Sequence, residues 1–353
     1  MGEYINDITI YDDMKKMYRN DDMYCNCYFM LLLNITKAFG KNEHEIILNA
    51  DLTYDLFEKN DSGYPGFRLK VETFVEMNEL LKHMGIGLSS NKIEAVNVID
   101  SMKEYINQGN LILLSIDLFY QKNKVYYFQK QHGEHTVLVY GYSDEKQCLY
   151  LIDNINKGYE KYTVSYEEVA EYIEGLCNYC GYGRYSNYFI RFYKDGEKGR
   201  HSDADIIDRF FADISKKKSA YGTALQCILE FKARLNEMCT YPSFEENLLT
   251  MKYRKASLCF RNRLVLDQRF RKNDRYETLV SNQDEVLKAW TQIRTYYIYM
   301  KRKNAAIEDI STDLSDMLLS IYQKETYFYE IFLDLTEKVK KQPVNISEKV
   351  NKL

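Results

Sequence analysis

Near residue 203 the pattern of this sequence changes, and a single uniform core cannot follow from both halves. Before that point short helical and strand signals alternate, separated by turn residues. Beyond it, 206–238, 244–270, 284–303 and 312–341 carry apolar residues three and four apart, with almost no glycine. That spacing puts an apolar stripe along one side of a helix, so this half reads as three to five long helices in a bundle. The charge breaks at the same place. Up to Asp203 there are 22 basic and 31 acidic residues, a balance of −9; after it 26 and 21, a balance of +5. The polar stretch 195–205, DGEKGRHSDAD, is the expected boundary between units 1–200 and 204–353.

Composition narrows the class. The chain is 45% apolar and 28% charged, as expected of a folded globular protein. The longest wholly apolar run, 28–33, falls far short of the ~20 residues of a membrane span. No basic segment followed by an apolar stretch opens the chain, so no secretory signal and a cytoplasmic location are expected. Eight cysteines in that setting are expected to be reduced thiols. Only three prolines fit a helix-heavy chain.

Within the first half, 27–39 reads as a buried helix closed by Gly40 in a left-handed C-cap. The spacing predicts further helices over 67–84 and, capped by Asn91 with Glu94, over 91–108. Then the period shortens. The segments 111–118, 125–128, 136–142 and 148–153 read as strands, as does 188–193, and Ser165 with Glu168 caps one more helix. Helices followed by a meander of antiparallel strands make this half α+β, followed by an all-α region.

Three residues in this half can combine chemically. Cys27 opens the first helix, where the helix dipole favours a thiolate. His135 starts the strand HTVLVYGY, and Asp153 ends the next strand, LYLID. Adjacent antiparallel strands bring the start of one beside the end of the other. His135 is then placed to take the thiol proton while Asp153 fixes its tautomer. On residues alone Cys25 is a rival nucleophile, and a buried, inert cysteine is the bland alternative. His132, three residues before His135, flanks the site. Cys177 and Cys180 form a single CxxC with no second pair, which leaves zinc short of ligands. No phosphate-binding glycine loop and no HExxH motif is present.

Two stretches resemble known enzymes. CYFMLLLNITKAFG is similar to the cysteine-plus-helix segment of papain-like bacterial enzymes such as bacteriocin-processing peptidases, and counting back from Gly40 selects Cys27. LLSIDLFYQKNKVYYFQKQHGEHTVLVYGY resembles the layout of the butirosin-type aminoglycoside acyltransferase family, with Asp117, Phe119 and Tyr120 at corresponding places. The likeness spans roughly 24–153. It implies a papain-like first domain joined to a helical region, and transfer of an acyl or peptidyl group from a carrier-protein thioester to a small-molecule amine in specialised-metabolite biosynthesis. Cys27 would carry the acyl group, His135 act as base and then acid, and Asp153 orient it. Asp117 and Tyr120 would line the acceptor pocket. No cofactor is implied beyond the phosphopantetheine of the carrier. Papain-like enzymes use a Gln shortly before the cysteine to complete the oxyanion hole. Here Asp21 stands there, and a carboxylate would repel the oxyanion, so either Asn20 beside it is the donor on a shifted loop, or the Cys27 N–H works with another group, or catalysis is impaired.

The segment 251–275 holds nine basic residues against Asp267 and Asp274. It reads as a solvated helix face, or as a dock for an acidic carrier protein. Nucleic acid is not an expected partner of an acidic chain without a binding motif. The same triad with water as acceptor would give a peptidase or thioesterase, and a silent fold would give a metabolite- or carrier-binding protein.

Overall fold

A computed structural model of the chain describes residues 2–10, 27–58, 65–90, 92–155, 158–183, 185–196, 201–241, 244–271 and 273–341. The elements begin with β1 (Glu3–Ile5), α1 (Cys27–Ala38), α2 (His44–Leu48), β2 (Ala50–Phe57), β3 (Gly66–Thr73), α3 (Met77–His83) and β4 (Ile86–Ser89). They continue with β5 (Ile93–Glu94), α4 (Val98–Asn107), β6 (Leu111–Asp117), β7 (Glu134–Ser143), β8 (Cys148–Ile155) and β9 (Gly158–Ser165). After α5 (Tyr166–Tyr179), β10 (Tyr185–Ser186) and β11 (Phe189–Lys194), the chain is helical: α6 (Asp203–Lys216), α7 (Lys218–Ala233), α8 (Leu235–Met238), α9 (Phe244–Phe270), α10 (Asp274–Arg302) and α11 (Ile307–Lys341). Two compact units result. One is Met1–Ile47 with Val75–Ser202; the other is Leu48–Phe74 with Asp203–Leu353.

The first unit is built on an antiparallel sheet in the order β4-β11-β6-β7-β8-β9, with β1 pairing the far end of β7. On one face Val98, Met102 and Ile106 of α4 and Val169, Ile173 and Leu176 of α5 form a core with Leu114, Val137 and Leu151. The alternate residues Leu113, Leu138 and Ile152 are just as buried, so the middle strands are covered on both sides. Helix α1 packs against β7 and buries eight successive residues, Phe29 to Thr36. A helix buried all round is a central helix, which is why its apolar run is continuous rather than striped. Gly40, at φ +71°, ends it in the left-handed conformation that glycine adopts without a Cβ clash.

Several expectations change. The segment 67–84 is not one helix but β3 followed by α3. Phe67 and Leu69 are buried while Arg68 and Lys70 are exposed, so the period is two. The segment 125–128 is not a strand: Tyr127 and Phe128 N–H both donate to the Lys124 carbonyl, at 2.8 Å each, which makes local turns. Helix α4 starts at Val98, after the short strand β5 that contains Glu94; Asn91 lies outside the described residues. The capping box at Ser165 and Glu168 does form and opens α5. Strand β9, paired along all of β8, was not legible from its weakly alternating sequence.

The second unit is not all-α, and the first is not a continuous 1–200. Hairpin β2–β3 belongs with the helices because its polar residues find their partners there. Asp51 Oδ1 accepts from Arg261 Nη1 at 3.2 Å, and Asp51 Oδ2 from the Tyr221 hydroxyl at 2.7 Å. Tyr54 hydrogen-bonds Glu325 and accepts from Trp290 Nε1 at 3.1 Å, while Lys255 Nζ lies 2.5 Å from Glu325. Phe67 stacks on Phe231, centroids 4.3 Å apart.

These contacts also correct the reading of 251–275 as a solvated face. Lys255 and Arg261 are both 2% exposed and paired to buried carboxylates. Removing one partner of a buried pair strands the other charge, so Arg261→Ala should cost about 3–5 kcal/mol of unfolding free energy. Arg271→Ala, at an exposed position, should change it by less than about 0.5 kcal/mol. Urea unfolding of the two variants checks both.

Candidate active site

The site grows from α1 and strands β7 and β8. Cys27 begins α1, so its thiol meets the positive end of the helix dipole. His135 is the second residue of β7. In the pairing of β7 with β8, Leu138 faces Ile152, so Asp153 follows on β8 beside the start of β7. The structure thereby brings Cys27, His135 and Asp153 together. His135 Nε2 lies 2.7 Å from Asp153 Oδ1, which leaves Nδ1 for the thiol that hydrogen-bonds the ring.

Asp153 is fully buried, and its carboxylate is held from several sides. Oδ1 also accepts the Asn154 N–H at 2.6 Å. Oδ2 accepts from Gln121 Nε2 at 2.6 Å and lies 3.4 Å from Lys124 Nζ. Gln121 in turn donates to the Tyr162 hydroxyl at 3.2 Å, and Lys124 Nζ bonds the Asn154 carbonyl. Gln121 and Lys124 were not read from the sequence. They lie in the turn segment between β6 and β7, where no periodicity marks a residue's direction.

Burial disfavours the ionised forms of Cys27, His135 and Asp153, and mutual attraction outweighs it. The Asp153 carboxyl is penalised by burial yet held below its ordinary range by His135, Lys124 and Gln121. The His135 imidazole is likewise penalised by burial, and Asp153 and the Cys27 thiol carry it up to about 9 against the opposing charge of Lys124. Burial pushes the Cys27 thiol up. The hydrogen bond and charge of His135, with the N–H groups of Thr136 and Tyr28, bring it below the usual thiol value. Other described thiols move the opposite way: burial pushes Cys180 up to about 11 and Cys239 and Cys259 up to about 12. Among the described thiols with a shift, Cys27 is therefore the one whose ionisation is favoured, through the His135 imidazole beside it.

Asp117 does not line an open pocket. It is fully buried; Oδ1 accepts the N–H groups of Phe119 and Gly133 at 3.1 Å each, and Oδ2 lies 2.7 Å from His132 Nδ1. It pins the 3-10 turn Leu118–Tyr120 that leads to Gln121. Helix α5 passes so close that a Cβ on Gly175 would meet Asp117 Oδ2 at 2.4 Å. Tyr120 is half-buried and packs against the same core, beside Phe119. Asn20, Asp21 and Cys25 lie outside the described residues. Cys177 Sγ sits 3.2 Å from the Tyr188 hydroxyl. Among the described residues no group of three His, Cys, Asp or Glu side chains is placed to hold a metal ion.

The chain matches no family model, and no curated protein matches it. Among the described residues no helix is long and apolar enough to cross a membrane.

Iodoacetamide should alkylate Cys27 ahead of the other described cysteines at neutral pH, with His135→Ala slowing it at least ~10-fold. The sign of the pH dependence follows from the directions above. Alkylation falls on acidification through the lowered thiol pKa. It persists above about 9, where His135 loses its proton but the thiolate remains. Peptide mapping of the alkylated protein across pH checks both.

Proposed function

We propose that this chain is a cysteine acyltransferase with a papain-like first unit, joining a thioester-borne acyl group to an amine. The observation that carries the reading is the constellation of Cys27, His135 and Asp153, with the thiol lowered and the imidazole raised. A helix presenting the cysteine and neighbouring antiparallel strands presenting histidine and aspartate support the papain-like assignment. The resemblance of 24–153 to the acyltransferase family supplies the donor and acceptor classes.

In this mechanism the Cys27 thiolate attacks the thioester carbonyl. As the carbon–sulfur bond to the donor breaks, His135 gives its proton to the departing thiol. The acyl group now rests on Cys27. Attack by the amine forms the amide bond and releases Cys27 as thiolate, with a proton from the amine nitrogen returning to His135. Asp153 keeps the ring in one orientation through both steps, and Gln121 and Lys124 keep Asp153 in place. The oxyanion would be met by the Cys27 N–H, with Asn20 as the proposed second donor. An acceptor bound beside the acyl-enzyme outcompetes water through its effective concentration.

An acidic carrier protein bearing phosphopantetheine is the proposed donor. Its dock no longer includes Lys255 and Arg261, which are buried; exposed Arg263, Arg271 and Arg275 remain for it.

The decisive experiment is intact-protein mass spectrometry after incubation with S-acetyl-N-acetylcysteamine and with acyl-loaded carrier proteins, omitting amine. An acyl adduct that disappears in Cys27→Ala is expected; an adduct that survives that substitution would contradict the reading. With amine added, the amide should exceed the free acid, and free acid alone would make the protein a thioesterase. Arg271→Glu with Arg275→Glu should lower kcat/KM roughly 10-fold for carrier-borne acyl groups and leave the small thioester unaffected. Equal kinetics on both donors would remove the dock.

A further inference from the structure

A second Asp–His pair stands at the same corner of the sheet as the first. Strands β6 and β7 pair with Ile116 opposite His135 and Asp117 opposite Glu134. His132 lies three residues before His135, so their Cα atoms are at most ~11 Å apart. Its Nδ1 is 2.7 Å from the buried Asp117 Oδ2. Its ring is sandwiched between Phe119, 4.2 Å away at 16°, and Tyr179, 3.9 Å away at 17°. The side chain is nevertheless 30% exposed, and Nε2 has no partner among the described residues. The buried carboxylate sets which nitrogen is bonded and the two aromatic faces set the plane. The arrangement leaves one imidazole nitrogen open, on a ring whose plane is fixed.

Resting on the acyltransferase reading above, the chemistry asks for such a group. An alkylamine is protonated at neutral pH and must lose two protons to become an amide nitrogen. After acylation the neutral His135 can take only one of them. We propose that His132 is the base for the other, deprotonating the incoming ammonium at Nε2 before attack. In balance, the ammonium gives one proton to His132, which passes it to solvent. The free amine then forms the carbon–nitrogen bond, its second proton goes to His135, and the carbon–sulfur bond breaks to return the Cys27 thiolate. The Asp117 carboxyl of β6 lies directly behind the ring, on Nδ1, so that Nε2 is the nitrogen left to meet an ammonium.

The test separates the two half-reactions in His132→Gln, using S-acetyl-N-acetylcysteamine as donor. Acceptors are n-butylamine, protonated at neutral pH, and hydroxylamine, neutral there. Acylation of Cys27, read by intact mass, doubles as the check that the variant is folded and should run at the wild-type rate. Transfer to n-butylamine should fall on the order of 100-fold, while transfer to hydroxylamine holds and raised pH restores n-butylamine. Equal slowing with both acceptors, or slowing of acylation itself, would make His132 a structural pin and overturn the proposal. If wild type forms no acyl-enzyme, the acyltransferase reading fails first, and the proposal with it.

Discussion

A carboxylate buried in a sheet is unfavourable unless every lone pair is answered, and Asp153 is the point around which the site is arranged. Its neighbours come from separate parts of the chain: His135 from β7, the Asn154 N–H from β8 itself, and Gln121 with Lys124 from the turns before β7. Each answers the same charge, so each is fixed by it. The imidazole held in this way raises its own proton affinity and lowers that of the thiol at the start of α1. The lowered proton affinity of the Cys27 thiol is thus a consequence of where one carboxylate was buried.

The same rule organises the turn segment and the second unit. Asp117 is buried a few residues before Gln121 and is answered by two backbone N–H groups and His132, which shapes the path by which Gln121 and Lys124 reach Asp153. In the helical unit Asp51 and Glu325 are answered by Arg261, Tyr221, Lys255 and Tyr54. Buried acids with specific partners fix one arrangement of hairpin and helices, where apolar packing alone tolerates several.

What the sequence disclosed follows from how local each signal is. The continuous apolar run of α1, its closing Gly40, the HTVLVYGY strand and the capping box at Ser165 are all set by neighbours within a few residues, and they read directly. So did the types and order of Cys27, His135 and Asp153. The membership of hairpin β2–β3 could not be read, because it depends on partners roughly two hundred residues away. The burial of Arg261 and Lys255 was hidden for the same reason: a charge on a helix looks solvated until its partner is known. Gln121 and Lys124 carry no local signal at all, since a turn gives no period from which to infer direction. Asp117 was visible as a residue, but its role changed once its hydrogen bonds were seen.

The proposed chemistry requires that Asp153 hold His135 as an imidazolium beside Cys27. NMR titration of the His135 ring in wild type and in Asp153→Asn measures this without any substrate. The wild-type ring should titrate near 9 and the variant's well below that, since the charge opposing desolvation is gone. A wild-type His135 that titrates near the ordinary 6.5, or one that Asp153→Asn leaves unmoved, would contradict it.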